Sequence, residues 1–217
     1  MNTVLDMSKT TGLEINRGAQ LIAVRFHTVA GADLAQLVRD FEKSRDEFVC
    51  KQPGILGQFF LSNGQGEFID FVLAQDALSL GKMGEIYTQV EATQAFMAQI
   101  DRATLSKTMF SVRTANTVIT EGFYGLEMGS FKSAALVEDV ARLSQAVTSG
   151  YSCKQPGFMG QLLAVKDDGD YCELSFAQSV SRAIQTCDGY MNNEICKQFL
   201  EVTEAKSASL EFWTRLA

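Results

Sequence analysis

Apolar and polar residues alternate between Leu21 and Val29, with Ile22, Val24 and Phe26 on one face, which predicts a half-buried strand over residues 21–29. From residue 32 to 49 the spacing lengthens to that of a helix, with Leu34, Leu37, Val38, Phe41 and Phe48 on one stripe and Asp33 at its start. Lys51-Gln52-Pro53-Gly54 stops that helix, because a residue before proline is pushed out of the helical region. Two further runs, 56–62 and 68–74, read as strands joined through Asn63-Gly64-Gln65-Gly66, a hairpin signal. Residues 77–103 are expected to be mostly helical with a break near Gly81 to Gly84, and 108–113 to form a last strand.

The same order then recurs. Residues 50–75 lie over residues 153–178 at a constant offset of 103, and ten of the 26 positions are identical. The chain's two prolines, Pro53 and Pro156, coincide under that offset, and the match extends to Phe110 and Trp213. This is a tandem duplication. In the second copy the pattern predicts a strand over 123–131, a helix over 134–151, a hairpin around Asp167-Asp168-Gly169, a helix after Gln178 and a strand over 210–216. An N-terminal extension, 1–18, therefore precedes two units, 19–115 and 121–217. Each unit has the order βαββαβ, the ferredoxin-like arrangement, whose sheet carries helices on one side only. The bare faces need cover, so the expected fold is α+β, with two such units packed sheet to sheet as a pseudo-dimeric α+β barrel. The expected assembly is a monomeric pseudo-dimer or a homodimer.

Charge narrows the partners. With 26 acidic and 19 basic residues the chain has a formal net charge of −7, which gives no general attraction to nucleic acid or to anionic membrane surfaces. It shows no signal-peptide pattern and no apolar run of spanning length, and its five cysteines are an odd number, so a cytoplasmic protein with reduced thiols is expected.

The stretch AVRFHTVAGADLAQLVRDFEKSRDEFVCKQPGILG, followed by DFVLAQDALSLG and QAFMAQID, resembles the antibiotic-biosynthesis-monooxygenase-like proteins of the dimeric α+β barrel superfamily. The resemblance covers both units and implies that one chain supplies both halves of the barrel. It also implies a small-molecule enzyme or binding protein, with an aromatic or polyketide-like ligand. Where many members carry a Trp on strand three, this chain has Val72 and Ser175; where a His commonly follows in the second helix, it has Gly81 and Ile184. Haem-degrading relatives use that pair, so the resemblance disfavours haem, and no cofactor is expected. A non-catalytic assembly module with a degenerate site is the alternative.

Candidate chemistry centres on polar residues inside strands. Ile69, Phe71 and Leu73, matched by Cys172, Leu174 and Phe176, form one face, taken as the helix-facing core. Asp70 and Glu173 then point toward the partner sheet, joined there by Gln58 and Gln161. Arg25 and His27 turn away from the Val24/Phe26 face, so Arg25 is expected beside Asp70, while Glu127 and Glu173 occupy the second unit. Such a cluster is either a salt-bridge network fixing the barrel or a ligand cavity. In the second case Arg25 would hold a carboxylate or phenolate, and Glu127 or Glu173 would act as a base. His27, the chain's one histidine, ends its strand, where a structural role competes with a catalytic one. Cys50 and Cys153 each precede a Lys that would lower a thiol pKa, Cys172 reads as core, and the spacing of Cys187 and Cys196 does not make a metal pair; no metal site is expected.

Overall fold

A computed structural model describes residues 12–114 and 117–217. Its elements are β1 (Gly12–Ile15), β2 (Gln20–His27), α1 (Leu34–Glu47), β3 (Ile55–Ser62), β4 (Glu67–Ala74), α2 (Ala77–Tyr87), α3 (Glu91–Ala98) and β5 (Ser106–Val112). These are followed by β6 (Thr117–Thr120), β7 (Gly125–Phe131), α4 (Val137–Gly150), β8 (Phe158–Lys166), β9 (Tyr171–Ala177), α5 (Val180–Asp188), α6 (Glu194–Glu201) and β10 (Ser209–Arg215). The first eleven residues of the expected extension lie outside the described residues. Its remainder forms β1, which pairs antiparallel with β6, between the two halves.

Eight strands close into one barrel in the order β10-β3-β4-β2-β5-β8-β9-β7. Within each half the order is that of a ferredoxin-like sheet, and the seams are the short pairings of β5 with β8 and of β10 with β3. The barrel closes within one chain, which removes the sheet edges that a lone unit would expose. The lumen is packed by Leu21, Ala23, Ile69, Phe71, Phe110, Leu126, Leu174, Phe176 and Trp213, all at most 2% exposed. At about 2 kcal/mol for each large side chain taken from water, this layer is the main stabilising element. No helix of the described residues is long and apolar enough to cross a membrane.

Local sequence accounts for the element ends. Asp33, Asp76, Ser179 and Asn193 cap α1, α2, α5 and α6 by accepting backbone N–H groups of the first turn. The helix expected to break near Gly81 to Gly84 runs through both glycines. It ends at Tyr87, where Thr93 turns its hydroxyl onto the carbonyls of Tyr87 and Val90. The Pro-Gly turns place Gly54 at φ 79° and Gly157 at φ 81°, the left-handed region, and a Cβ on Gly54 would lie 2.1 Å from Ser79 Oγ. Gly54→Val is therefore expected to cost more than the roughly 1 kcal/mol of an ordinary glycine substitution. A melting temperature equal to that of the parent would show that the turn tolerates a side chain.

Candidate functional site

The register decides where the polar residues go. Val24 pairs with Asp70 and Arg25 with Ile69, so Asp70 shares a face with Val24 and Arg25 shares one with Ile69. The Ile69/Phe71/Leu73 face lines the lumen, and Asp70 and Glu173 lie on the outer face, beneath the helices. The expected single cluster between the sheets is therefore not formed. A closed lumen offers a carboxylate no water and no partner, whereas the helix layer brings hydroxyls to it. Arg25 does not pair with Asp70. Its guanidinium lies 2.5 Å from Glu211 Oε2 and 3.8 Å from Glu67 Oε1, over the Trp213 ring. His27 is exposed at the end of β2, opposite Glu67, with Nδ1 2.9 Å from the Gly66 carbonyl.

Two polar groups emerge instead, one per half. In the first, Gln58 Nε2 donates to Asp70 at 2.7 Å, and the Tyr87 hydroxyl lies 3.3 Å from Ser44 Oγ. Burial pushes the Asp70 carboxyl up to about 6, partly offset by Gln58 and Tyr87. In the second, Glu173 accepts from Ser144 at 2.6 Å and from the Tyr190 hydroxyl at 3.1 Å, and Gln161 Nε2 donates to that hydroxyl at 3.4 Å. Gln58, Asp70 and Tyr87 become Gln161, Glu173 and Tyr190 under the offset of 103, so an amide, an acid and a phenol recur together in both halves. The tyrosines were legible as part of this set from that offset and were missed.

The halves then diverge. Around the first group the space beneath the helices is filled by a stack of Phe26, Phe41, Phe60, Phe68 and Phe96. Around the second lies a cavity of about 300 Å³, lined by Glu127, Gly129, Phe131, Glu173, Cys187, Tyr190 and other side chains of α6 and β10. The second half carries a set of small-for-large replacements, of which Gly129, Thr203 and Ala208 line the cavity. Since Val24 pairs with Asp70 and Gly129 with Glu173, Gly129 stands in place of Val24. Ser144 replaces Phe41, Leu163 replaces Phe60, Thr203 replaces Ile100 and Ala208 replaces Leu105. By the same register Glu127 takes the place of Ile22, and Ser130 that of Arg25, so Glu127 is not Arg25's counterpart.

Glu127 and Glu173 are diagonal neighbours on one face of the β7–β9 pair, 7% and 6% exposed. Burial, with the Glu173 charge adding to it and Cys187 opposing, pushes Glu127 up to about 7. Glu173 is also raised by burial, and Tyr190 well above its ordinary value by burial and by both acids. Cys187 is raised as well, by burial first and then by Glu127, which makes it a poor nucleophile. The Cys50 thiol is pushed up by burial rather than lowered. Among the described residues no group of three His, Cys, Asp or Glu is placed to hold a metal ion.

No protein-family profile matches the chain, and no curated protein does. Solved structures do match. A proposed monooxygenase from Fusobacterium nucleatum superposes with a TM-score of 0.64 at 11% identity, over 93% of this chain and 94% of that one. A second, from Lactobacillus acidophilus, gives 0.61 at 10% identity over 91% and 94%. A ferredoxin-fold protein of Listeria monocytogenes related to antibiotic biosynthesis monooxygenases gives 0.52 at 10% identity over 93% and 96%. The fold is that of the monooxygenase-like α+β barrels.

The same comparison corrects the expectation that no cofactor is used and that haem is disfavoured. A proposed chlorite dismutase shares the fold, with a TM-score of 0.57 at 8% identity over 93% of this chain and 96% of that one. Absence of a Trp at Val72 and Ser175, or of a His at Gly81 and Ile184, is no ground for excluding a cofactor from such a barrel. Of the side chains able to ligate haem iron, the 300 Å³ cavity offers Cys187, Tyr190 and Met191 and no His, so it is not a haem pocket of the histidine kind.

Proposed function

We propose that units 19–115 and 121–217 have divided their labour. The first packs the space beneath its helices with aromatic rings, and the second binds a small, largely apolar molecule carrying one acidic O–H in the cavity beneath α5 and α6. The observation that carries this reading is Glu127, a buried carboxyl raised to about 7, in an apolar cavity that its counterpart in the first half lacks. Two acids repel an anionic ligand, so the molecule enters neutral and presents its O–H to Glu127. A carboxylate that titrates near neutrality is matched to general-base work, and proton abstraction is the reaction class that follows. Glu173 is held by Ser144 and Tyr190, and its role is to keep Glu127's proton affinity high. The lumen is filled, which leaves the space beneath the helices rather than that between the sheets as the site. Arg25, satisfied by Glu211 and Glu67, closes the barrel mouth and does not hold ligand in this reading. Five free cysteines fit a reducing cytoplasm, and the closed barrel fits a monomer.

The probe is 2-naphthol, a neutral bicyclic alcohol small enough for the cavity, followed by its fluorescence. Ionised Glu127 is the better acceptor, so affinity is expected to rise about threefold or more between pH 6 and pH 8. In Glu127→Gln the affinity is expected to be lower at pH 8 and independent of pH over that range. An unchanged pH profile in the variant would remove Glu127 from the site.

A further inference from the structure

A larger cavity, about 570 Å³, lies at the other seam, where β10 meets β3, and it is independent of the proposed base site. Its walls include Arg45, Gln58, Phe59, Phe123 and Arg215, with Glu42 and Glu121 also contributing. Arg215 is held in an unusual way. Its guanidinium carbon lies 4.8 Å from the centre of the Phe59 ring and 5.0 Å from that of Phe123, and its Nε donates to the Ala217 carbonyl at 3.1 Å. Both terminal nitrogens lack a hydrogen-bond partner among the described residues, and no Asp or Glu side chain among those residues lies within salt-bridge distance of them. With Nε engaged and the adjoining Phe59 and Phe123 rings packed against it, the guanidinium leaves its two terminal nitrogens free, an edge that matches a carboxylate. Burial and the nearby Arg45 charge lower the Arg215 pKa, the mark of a cation that lacks a compensating anion; Glu121 offsets this only in part.

A second feature of the same wall points to a ligand. Gln58 is 2% exposed, gives its Nε2 to Asp70, and leaves its Oε1 buried without a partner. A buried acceptor of this kind is destabilising unless something donates to it.

The pseudo-symmetric seam serves as an internal comparison. There a cavity of about 200 Å³ is lined by Gln145, Thr148, Gly160 and Gln161, the counterparts of Glu42, Arg45, Gly57 and Gln58. Arg215 itself corresponds to Val112, since Arg215 pairs with Leu61 and Val112 with Ala164. The unpartnered glutamine oxygen recurs at Gln161, whereas both arginines belong to the larger cavity alone. Arg45 and Arg215 thus have no cationic counterpart at Thr148 and Val112 of the other seam.

We infer that the β10–β3 seam binds a planar aromatic carboxylate that also carries an O–H or N–H donor. Its carboxylate meets the free edge of Arg215, its ring packs among Phe59 and Phe123, and its donor satisfies Gln58 Oε1; Arg45, already paired with Asp46, adds the smaller contribution. Charge separates this ligand from the neutral alcohol of the cavity beneath α5 and α6.

Calorimetric titration with 4-hydroxybenzoate and its neutral counterpart 4-hydroxybenzamide tests the site. Saturable binding of the carboxylate is expected, at least tenfold tighter than that of the amide and weakening with added salt. Arg215→Gln is expected to lower that affinity tenfold or more, and Arg45→Gln to lower it by a smaller factor. The Arg45 variant, nearer the rim, keeps the test usable if loss of the Arg215 stack lowers the melting temperature. Glu127→Gln is expected to leave 4-hydroxybenzoate binding unchanged, and Arg215→Gln to leave 2-naphthol binding unchanged, so either site can fail alone. No saturable binding, equal binding of acid and amide, or indifference of the carboxylate to both arginine variants would overturn the inference.

Discussion

Raising the pH from 5 to 8 is expected to make this protein less stable, by about 3 kcal/mol from Glu127 and about 1 kcal/mol from Asp70. Both carboxyls are raised in the folded state, Glu127 from 4.5 to about 7 and Asp70 from 3.8 to about 6. Below the ordinary values the folded and unfolded chains both hold these protons, and the stability is fully present. Above them the unfolded chain releases its protons first, and the loss grows until the folded carboxyls ionise in turn. The carboxyls lowered in the fold, Asp46 and Asp76, act in the opposite sense but below about pH 4, outside this window. Urea unfolding at a series of pH values gives the slope directly. Glu127→Gln should lie close to the parent near pH 5, exceed it by up to about 3 kcal/mol at pH 8, and retain the shallower slope left by Asp70 and Glu173. A parent whose stability is flat or rising across the window would contradict the burial assigned to these acids.

The second large effect concerns the cavity itself. Gly129→Val combined with Ala208→Leu restores the side chains that the first half carries at Val24 and Leu105. A Cβ on Gly129 would meet nothing nearer than Leu210 Cδ1 at 3.7 Å, and the backbone there is not left-handed, so the larger side chain enters open space. Filling an apolar void with about six carbon atoms is expected to stabilise the protein by on the order of 2 kcal/mol, read as a rise in melting temperature. A fall would mean that the space is already occupied by neighbouring side chains that have to move.

Much of the fold was legible because duplication wrote it twice. Strand alternation, the Pro-Gly turns at Pro53 and Pro156 and the hairpin at Asn63 to Gly66 each have a local physical cause, and each appears in both copies. Which face of the sheet is which was not local. Alternation correctly separated Asp70 from Ile69, but a barrel buries both faces, and no pattern of period two says which one looks inward. The partners that settle the acids, Ser44, Ser144, Tyr87 and Tyr190, come from helices distant in sequence. The offset of 103 holds from the helix onward but does not carry back to the first strand. The link before α4 is two residues shorter, which shifts β7 to an offset of 105 against β2. The cavity was hidden for the same reason: its lining differs from the first half at pairs such as Leu105/Ala208 and Val24/Gly129, which become meaningful once both copies are laid on one backbone.

Titrating 2-naphthol into the parent and into the Gly129→Val/Ala208→Leu variant at pH 8, with both proteins shown to be folded, tests most directly whether the cavity of the second half is a ligand site. Saturable binding to the parent and at least a tenfold loss in the variant is the predicted result. Equal binding to the two proteins, or none to the parent, would contradict it.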